Sequence, residues 1–308
     1  MEQINVELFG NDQKIQKALD LAGNVSITKA PVLIAGEAGT GKRTLGMYIH
    51  QHSVRADKPV VIVDCALPTL DVDHEVLGYR EESTGHFIKG ALQRANGGTV
   101  IFANFDGLEE MFQRRLYKVL NELNDYAIDI RIIATTTKNL SKLVGAGKFY
   151  RGLYLLVSGA QISLSPLRER SGDLAVLTKA FLKEVANGRE DMILSEDAMD
   201  KIMNHYWAQN ISELKLALED AVKNNQNGIL TASDLAIGEE KNKCVDEEGG
   251  FPLMSLHEAE MLLIKKALIH TGENRTQAAR ILGVSIRTLR NKINEYRGVS
   301  NEYFVNLR

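Results

Sequence analysis

The sequence predicts an α/β protein: a parallel sheet built around a phosphate-binding loop, then a small helical subdomain, then an all-α basic module with a helix-turn-helix. Three observations carry that expectation. Short apolar runs alternate with amphipathic helical stretches in the first half of the chain, the pattern of a parallel sheet covered on both faces. The stretch GEAGTGK, Gly36 to Lys42, follows one such run and opens a helical pattern. Near the C-terminus two helical stretches flank the tight turn LGVS, and arginines gather there.

Taken in order, PVLIAG (31–36) reads as a buried strand closed by glycine, and KRTLGMYIHQHS as the helix after it. PVVIVDC (59–65) is strand-like, HFIKGALQRA helical, GTVIFAN strand-like, EEMFQRRLYKVLNEL helical and DIRIIATTT strand-like. After SLSPLRERSGDL the alternation stops. From about Leu174 to Leu235 helices alone are expected, with AVLTKAFLKEVA, SEDAMDKIMNHY and ISELKLALEDAVKN. The domain reading is 1–172 for the α/β subdomain, 173–237 for the helical subdomain, 238–254 for an acidic, Gly-containing linker, and 255–308 for three C-terminal helices.

The net charge of −3 excludes nothing by itself, but its distribution is informative. From Arg275 onward Arg280, Arg287, Arg290, Lys292, Arg297 and Arg308 outnumber Glu295 and Glu302, whereas GEEKNKCVDEEGG before them is acidic. That is the footprint of a small basic module on a tether. Cys65 and Cys244 match no metal or redox spacing and read as free thiols. The N-terminus has no basic-then-apolar signal pattern, and no apolar run reaches roughly 18 residues. A soluble cytoplasmic protein without membrane contact is the expectation.

GEAGTGK fits the spacing G-x-x-x-x-G-K in its required place between strand and helix. Its glycines let backbone amides face phosphate, the helix N-terminus adds a positive field, and Lys42 reaches the β- and γ-phosphates. Gly36, Glu37, Gly39, Thr40, Gly41, Lys42, Arg43 and Thr44 are therefore the candidate nucleotide site, for ATP or ADP. The hydroxyl that ligates Mg2+ usually follows the lysine; Arg43 stands there and cannot do that work, so a Mg2+ site is doubtful.

At the other end, Asn274 is placed to cap the helix RTQAARIL with Gln277 in capping-box position. Ala278 and Ala279 allow close packing, Gly283 suits the turn, and Ser285 caps a recognition helix at 286–296. Leu289 and Ile293 point inward on that helix. Thr276, Gln277, Ser285, Ile286, Arg287, Thr288, Arg290, Asn291 and Lys292 form the candidate face toward double-stranded DNA. Arg287 and Asn291 suit guanine and adenine edges, while Arg290 and Lys292 suit phosphates.

Residues 8–308 resemble the bacterial enhancer-binding proteins, the AAA+ activators of sigma-54 RNA polymerase. The resemblance rests on LFGNDQKIQKAL, VLIAGEAGTGK, IHQHSVRADKPVVIVDCA, GALQRANGGTVIF, RRLYKVL, RIIATTTKNL, LSPLRERSGDL and NRTQAARILGVSIRTLRNKI. It implies an AAA+ core with a helical lid and a Fis-type DNA-binding domain. Because the match starts almost at Met1, the receiver or sensory domain of many members is expected to be absent. It also implies a homodimer through the C-terminal domain, helix 256–270 pairing with its copy through Leu256, Ala259, Leu263, Ala267 and Ile269. Such a dimer reads a palindromic site. RNA polymerase and a larger AAA+ oligomer are further implied partners.

Several family positions depart from the pattern. The Asp-Glu pair that holds magnesium and polarises water is Ala103 and Asn104, and Asp106 would need a rebuilt strand end to substitute. The arginine-finger segment reads KFYRGLYLLVS, with Tyr150 and Leu156 in the two slots and Arg151 displaced by one. The lid arginine is Ser212; Thr136 and Thr137 keep the first sensor position polar. The polymerase-touching loop is shortened to GYREESTGHFIKGALQRA, keeping Thr84-Gly85 with Phe87 out of register. These losses lead to the expectation of a DNA-binding regulator with no catalytic residues, its AAA+ core a nucleotide-binding or oligomerising scaffold that does not remodel sigma-54. A divergent ATP-hydrolysing activator and a non-catalytic partner of an active paralogue stay open beside it.

Overall fold

A computed structural model describes residues 10–81, 83–186, 192–225, 228–237, 260, 263, 264, 267, 268, 271 and 275–297. The chain divides into two compact units, Met1–Glu239 and Glu240–Arg308.

The first unit opens with α1 (Gln13–Ser26), whose N-cap Asp12 accepts from Lys14 N, followed by β1 (Val32–Ala35). Next come α2 (Lys42–Gln51), β2 (Val60–Asp64), α3 (Thr69–Leu77), β3 (Gly78–Arg80), β4 (Phe87–Lys89), α4 (Ala91–Arg94) and β5 (Thr99–Ala103). The α/β part closes with α5 (Glu110–Asn121), β6 (Arg131–Thr136), α6 (Leu140–Gly145), α7 (Arg151–Val157) and β7 (Ala160–Ser163). Five strands form a sheet in the order β2-β5-β6-β1-β7, every pair parallel. β1 lies inside that sheet, so the loop leaving its carboxyl end opens where α/β sheets bind ligands.

Alternate residues of each central strand feed two cores. Leu33, Val100, Phe102 and Ala134 pack with Phe112, Leu116, Leu153 and Val157, from α5 and α7. Val32, Ile34, Ile101 and Ile133 pack with Ile15, Leu19, Leu45 and Ile49, from α1 and α2. Burial on both faces is why these strands read as continuous apolar runs, each large aliphatic contributing about 1.5–3 kcal/mol. Two buried arginines tie the amino-terminal end of the sheet's central strands to its surroundings. Arg131 donates to Val25 O and Ser26 O at the end of α1, and Arg55 donates to Gly98 O and the Asp129 carboxylate.

One segment differs from expectation. HFIKGALQRA is helical only over Ala91–Arg94; Phe87–Lys89 is a strand paired antiparallel with Gly78–Arg80. Gly90 separates the two pieces. A Cβ there would lie 2.3 Å from Gly78 N and 2.4 Å from Val76 O, so this close approach of two backbones pins the chain and breaks the helical pattern.

The helical subdomain carries α8 (Leu174–Val185), α9 (Glu196–Asn204) and α10 (Asn210–Asn224). It also holds β8 (Ile193–Leu194) and β9 (Ile229–Leu230), paired in parallel, where helices alone were expected. Two-residue strands are too short to register in a periodicity. Trp207 is fully buried at the centre, with Leu177, Leu214 and Leu218, and its Nε1 donates to Ile202 O at 2.9 Å.

In the second unit, helices Arg275–Leu282 and Ile286–Arg297 pack Ala278, Ala279, Leu289 and Ile293 against Ile264, Ala267 and Leu268. Gly283 takes a φ of 67° in the turn, and Ser285 Oγ accepts from Thr288 N at 3.0 Å. Ala267, placed by sequence on a dimer face, is buried in this core, while Leu263 is exposed. The capping role of Asn274, the linker, and Leu256, Ala259 and Ile269 lie outside the described residues. Among the described residues no helix is long and apolar enough to cross a membrane.

Candidate functional site

The loop after β1 is held from two sides. Gly36 N donates to Thr136 O on β6 at 3.2 Å. The next carbonyls turn to the helical subdomain: Ala38 O accepts from Asn210 Nδ2 at 2.8 Å, Gly39 O from Ile211 N at 2.9 Å and Thr40 O from Arg170 Nη2 at 3.3 Å. Glu37 takes both terminal nitrogens of Arg168, at 2.5 and 2.6 Å, and Asn210 Nδ2 at 3.3 Å. Three of the loop's carbonyls, those of Ala38, Gly39 and Thr40, are thereby held toward the helices. Gly39 has a φ of 73°, and a Cβ on it would sit 1.9 Å from Gln209 O. Gly41, at a φ of 94°, caps α2.

Lys42 is buried and its Nζ donates to Gly36 O at 2.8 Å and Glu37 O at 2.6 Å. Burial pushes its pKa down, while Asp106 and Glu37 pull it back up. The Arg168 hydrogen bond holds the Glu37 carboxyl below its ordinary value. Thr40 Oγ1 donates to Glu37 O, Arg43 is exposed, and Thr44 is half-buried. Arg168, Arg170 and Asn210 were missed as site residues by the sequence reading. Arg168 and Arg170 lie in LSPLRERSGDL and Asn210 directly precedes ISELKLALEDAVKN, but nothing in their spacing says that they grip the loop.

At the neighbouring strand ends the chemistry changes. Ala103 closes β5 in register with Asp64, the last residue of β2. Asn104 adopts a φ of 53°; its Nδ2 donates to Asp64 Oδ1 at 2.9 Å and its N to Thr135 Oγ1 at 3.3 Å. A 3-10 turn, Phe105–Gly107, then carries Asp106 to the end of β6. There it accepts from Thr136 Oγ1 at 2.8 Å, Thr137 N at 3.0 Å and Thr137 Oγ1 at 3.2 Å. Asp106 thus lies beyond the end of β5, with its carboxylate on the end of β6.

Tyr150 and Leu156 pack against the core beside α5: Tyr150 N donates to Gln113 Oε1 at 2.7 Å, and its ring lies 5.2 Å from that of Tyr117. Arg151 is exposed at the start of α7. Ser212 abuts the loop, its Oγ 3.1 Å from where a Gly39 Cβ would lie. The loop's glycines and Lys42 have the chemistry of a phosphate cradle; Mg2+ finds neither a side-chain hydroxyl directly after Lys42 nor a side-chain oxygen at Ala103.

On the helix-turn-helix, Thr276, Gln277, Ser285, Ile286, Arg287, Thr288, Arg290 and Asn291 are exposed, and Leu289 and Ile293 are buried beneath them. Lys292 is half-buried and pairs with Glu260 at 2.9 Å, so its ammonium, assigned to phosphate from sequence, also braces its own domain.

Residues 8–163 match the Sigma-54 interaction domain, 168–245 the AAA+ ATPase lid domain, and 255–296 the family described as Bacterial regulatory protein, Fis family. The transcriptional regulatory protein FlbD of Caulobacter vibrioides is 31% identical, over 92% of this chain and 69% of its own length. The response regulator protein PilR of Pseudomonas aeruginosa is 30% identical, over 94% and 69%. Among solved structures, NtrX from Brucella abortus shares the fold with a TM-score of 0.69 at 22% identity, covering 94% of this chain and 69% of that one. With core, lid and helix-turn-helix matched in that order, the chain belongs to the bacterial family of sigma-54-dependent transcriptional regulators.

Proposed function

We propose that this protein is a DNA-binding transcription regulator whose AAA+ core binds ATP or ADP and oligomerises without hydrolysing nucleotide. On this reading it does not act by remodelling sigma-54. The observation that carries the proposal is the end of β5. Ala103 offers no side-chain oxygen there, and the Asn104 side-chain amide donates to Asp64. Without a carboxylate at either position, neither a metal nor an attacking water is held where turnover requires it. The basic recognition helix supports binding to double-stranded DNA, as a homodimer on a palindromic site, with RNA polymerase as a further partner. The ATP complex of NtrX, at a TM-score of 0.65, supports nucleotide in a core of this shape.

A second reading is favoured by Asp106, which lies near enough to Lys42 to raise its pKa. In it, the core is a divergent ATPase with a relocated acid. Phosphate release by the purified chain, with and without DNA, separates the two. The scaffold reading expects release equal to that of Lys42→Ala. Turnover that disappears in both Lys42→Ala and Asp106→Asn would establish the ATPase instead.

A further inference from the structure

We infer that the recognition helix reads thymine by the 5-methyl group of the base, with Ile286 making the apolar contact. The inference rests on the DNA-binding reading above and goes beyond it by naming the base feature recognised and the residue that recognises it.

On the helix Ile286–Arg297, the polar side chains of Arg287, Thr288, Arg290 and Asn291 are exposed. Among the described residues of this unit, the large apolar side chains left exposed are Leu263, Val284 and Ile286. The last two flank Ser285, where the helix begins. Ile286 is 41% exposed, whereas Leu289 and Ile293, about one and two turns further along the same side, are each 1% exposed. The buried stripe therefore runs out at the amino-terminal end of the helix. That end is the one whose residues meet base edges when a helix-turn-helix enters the major groove.

The backbone carrying Ile286 is fixed in the free protein. Val284 N donates to Ala279 O at 3.0 Å, Leu289 N to Ser285 O at 3.0 Å and Thr288 N to Ser285 Oγ at 3.0 Å. The Ser285 and Thr288 hydroxyls also bond each other at 2.8 Å, so both serve the start of the helix. An apolar side chain held rigidly there has one matching group among the four bases, the thymine C5-methyl. Against guanine, adenine or cytosine, Ile286 would cover donors or acceptors that it cannot pair, and would find no methyl in return.

The test begins with enrichment of the full chain on a duplex library of roughly 20 randomised base pairs, enough for two half-sites one turn apart. Each thymine of the enriched sequence is then replaced singly by deoxyuridine, which removes the methyl and nothing else. The expected result is a thymine in each half-site whose replacement weakens the Kd about three- to tenfold. Ile286→Ala should weaken binding to the thymine duplex by the same factor and change by less than about 1.5-fold on the uridine duplex, because the two losses are one contact. Should Ile286→Ala fold poorly, Ile286→Ser must show the same indifference to uridine. An enriched sequence in which no thymine-to-uridine exchange alters binding overturns this inference and leaves DNA binding intact. So does an Ile286→Ala protein as sensitive to the exchange as wild type. No enrichment of any sequence by a chain with a normal thermal melt overturns the sequence-specific DNA-binding reading as well.

Discussion

The phosphate-binding loop and the end of β5 are close neighbours, yet the chain keeps one and has rewritten the other. The loop retains its glycines, its lysine and a set of hydrogen bonds from the helical subdomain that orients its peptides. The strand end keeps its backbone register while Ala103 and Asn104 stand where the resemblance implies acids; Asn104 pairs with Asp64, and Asp106 accepts from Thr136 and Thr137. The contrast has a physical reason. Phosphate binding is made largely by backbone groups, so it is bound up with packing and is costly to lose. Metal and water handling depends on a few side-chain atoms, and exchanging them leaves the core untouched.

Three measurements would sharpen or break that contrast. The largest effect belongs to Gly39→Val. Its side chain would run into the Gln209 carbonyl at a φ that β-branched residues do not adopt, so about 3 kcal/mol of stability should be lost in urea unfolding, with nucleotide binding. Unchanged stability would mean that the helical subdomain does not pin the loop. Next, Asn210→Ala should cost about 2 kcal/mol, because the buried Leu167 N loses the Asn210 Oδ1 acceptor and Ala38 O loses its donor. A thermal melt within a degree of wild type would refute that bridging role.

The smallest effect is the pH dependence of the Glu37–Arg168 pair. The Glu37 carboxyl has a lower pKa folded than unfolded. Its contribution is therefore complete above the unfolded value of about 4.3 and fades as pH falls through the folded one. The pair is partly exposed, so Glu37→Gln should remove no more than about 1 kcal/mol at pH 7. The variant's stability should also fall less steeply than wild type below about pH 5, measured by urea unfolding across a pH series. Equal acid slopes would assign the acid sensitivity to other groups.

Most of the sheet was legible because Leu33, Ile34, Val100 and Phe102 are buried on a strand's two faces and leave long apolar runs. Lys42 and the glycines were legible because their spacing is dictated by a phosphate. The helix-turn-helix was legible from Gly283, Ser285 and the inward pair Leu289 and Ile293. What escaped was set by contacts between residues distant in sequence. Gly90 breaks a helical pattern because Val76 and Gly78 come against it. Asn210 and Arg168 become part of the loop only once the helices close over it. Asp106 was noticed, but the left-handed Asn104 that redirects it has no sequence signature beyond asparagine's tolerance of that conformation.

Trp207 is the chain's single tryptophan. It is fully buried, its ring lies 4.6 Å from that of His205, and its carbonyl accepts from Asn210 N at 2.9 Å. Asn210 in turn holds Ala38 of the phosphate-binding loop. The protein therefore contains one native fluorophore, two hydrogen bonds away from the place where nucleotide is proposed to bind. Its emission colour and lifetime can follow loop occupancy in real time, in unlabelled wild-type protein, with no second indole to dilute the signal.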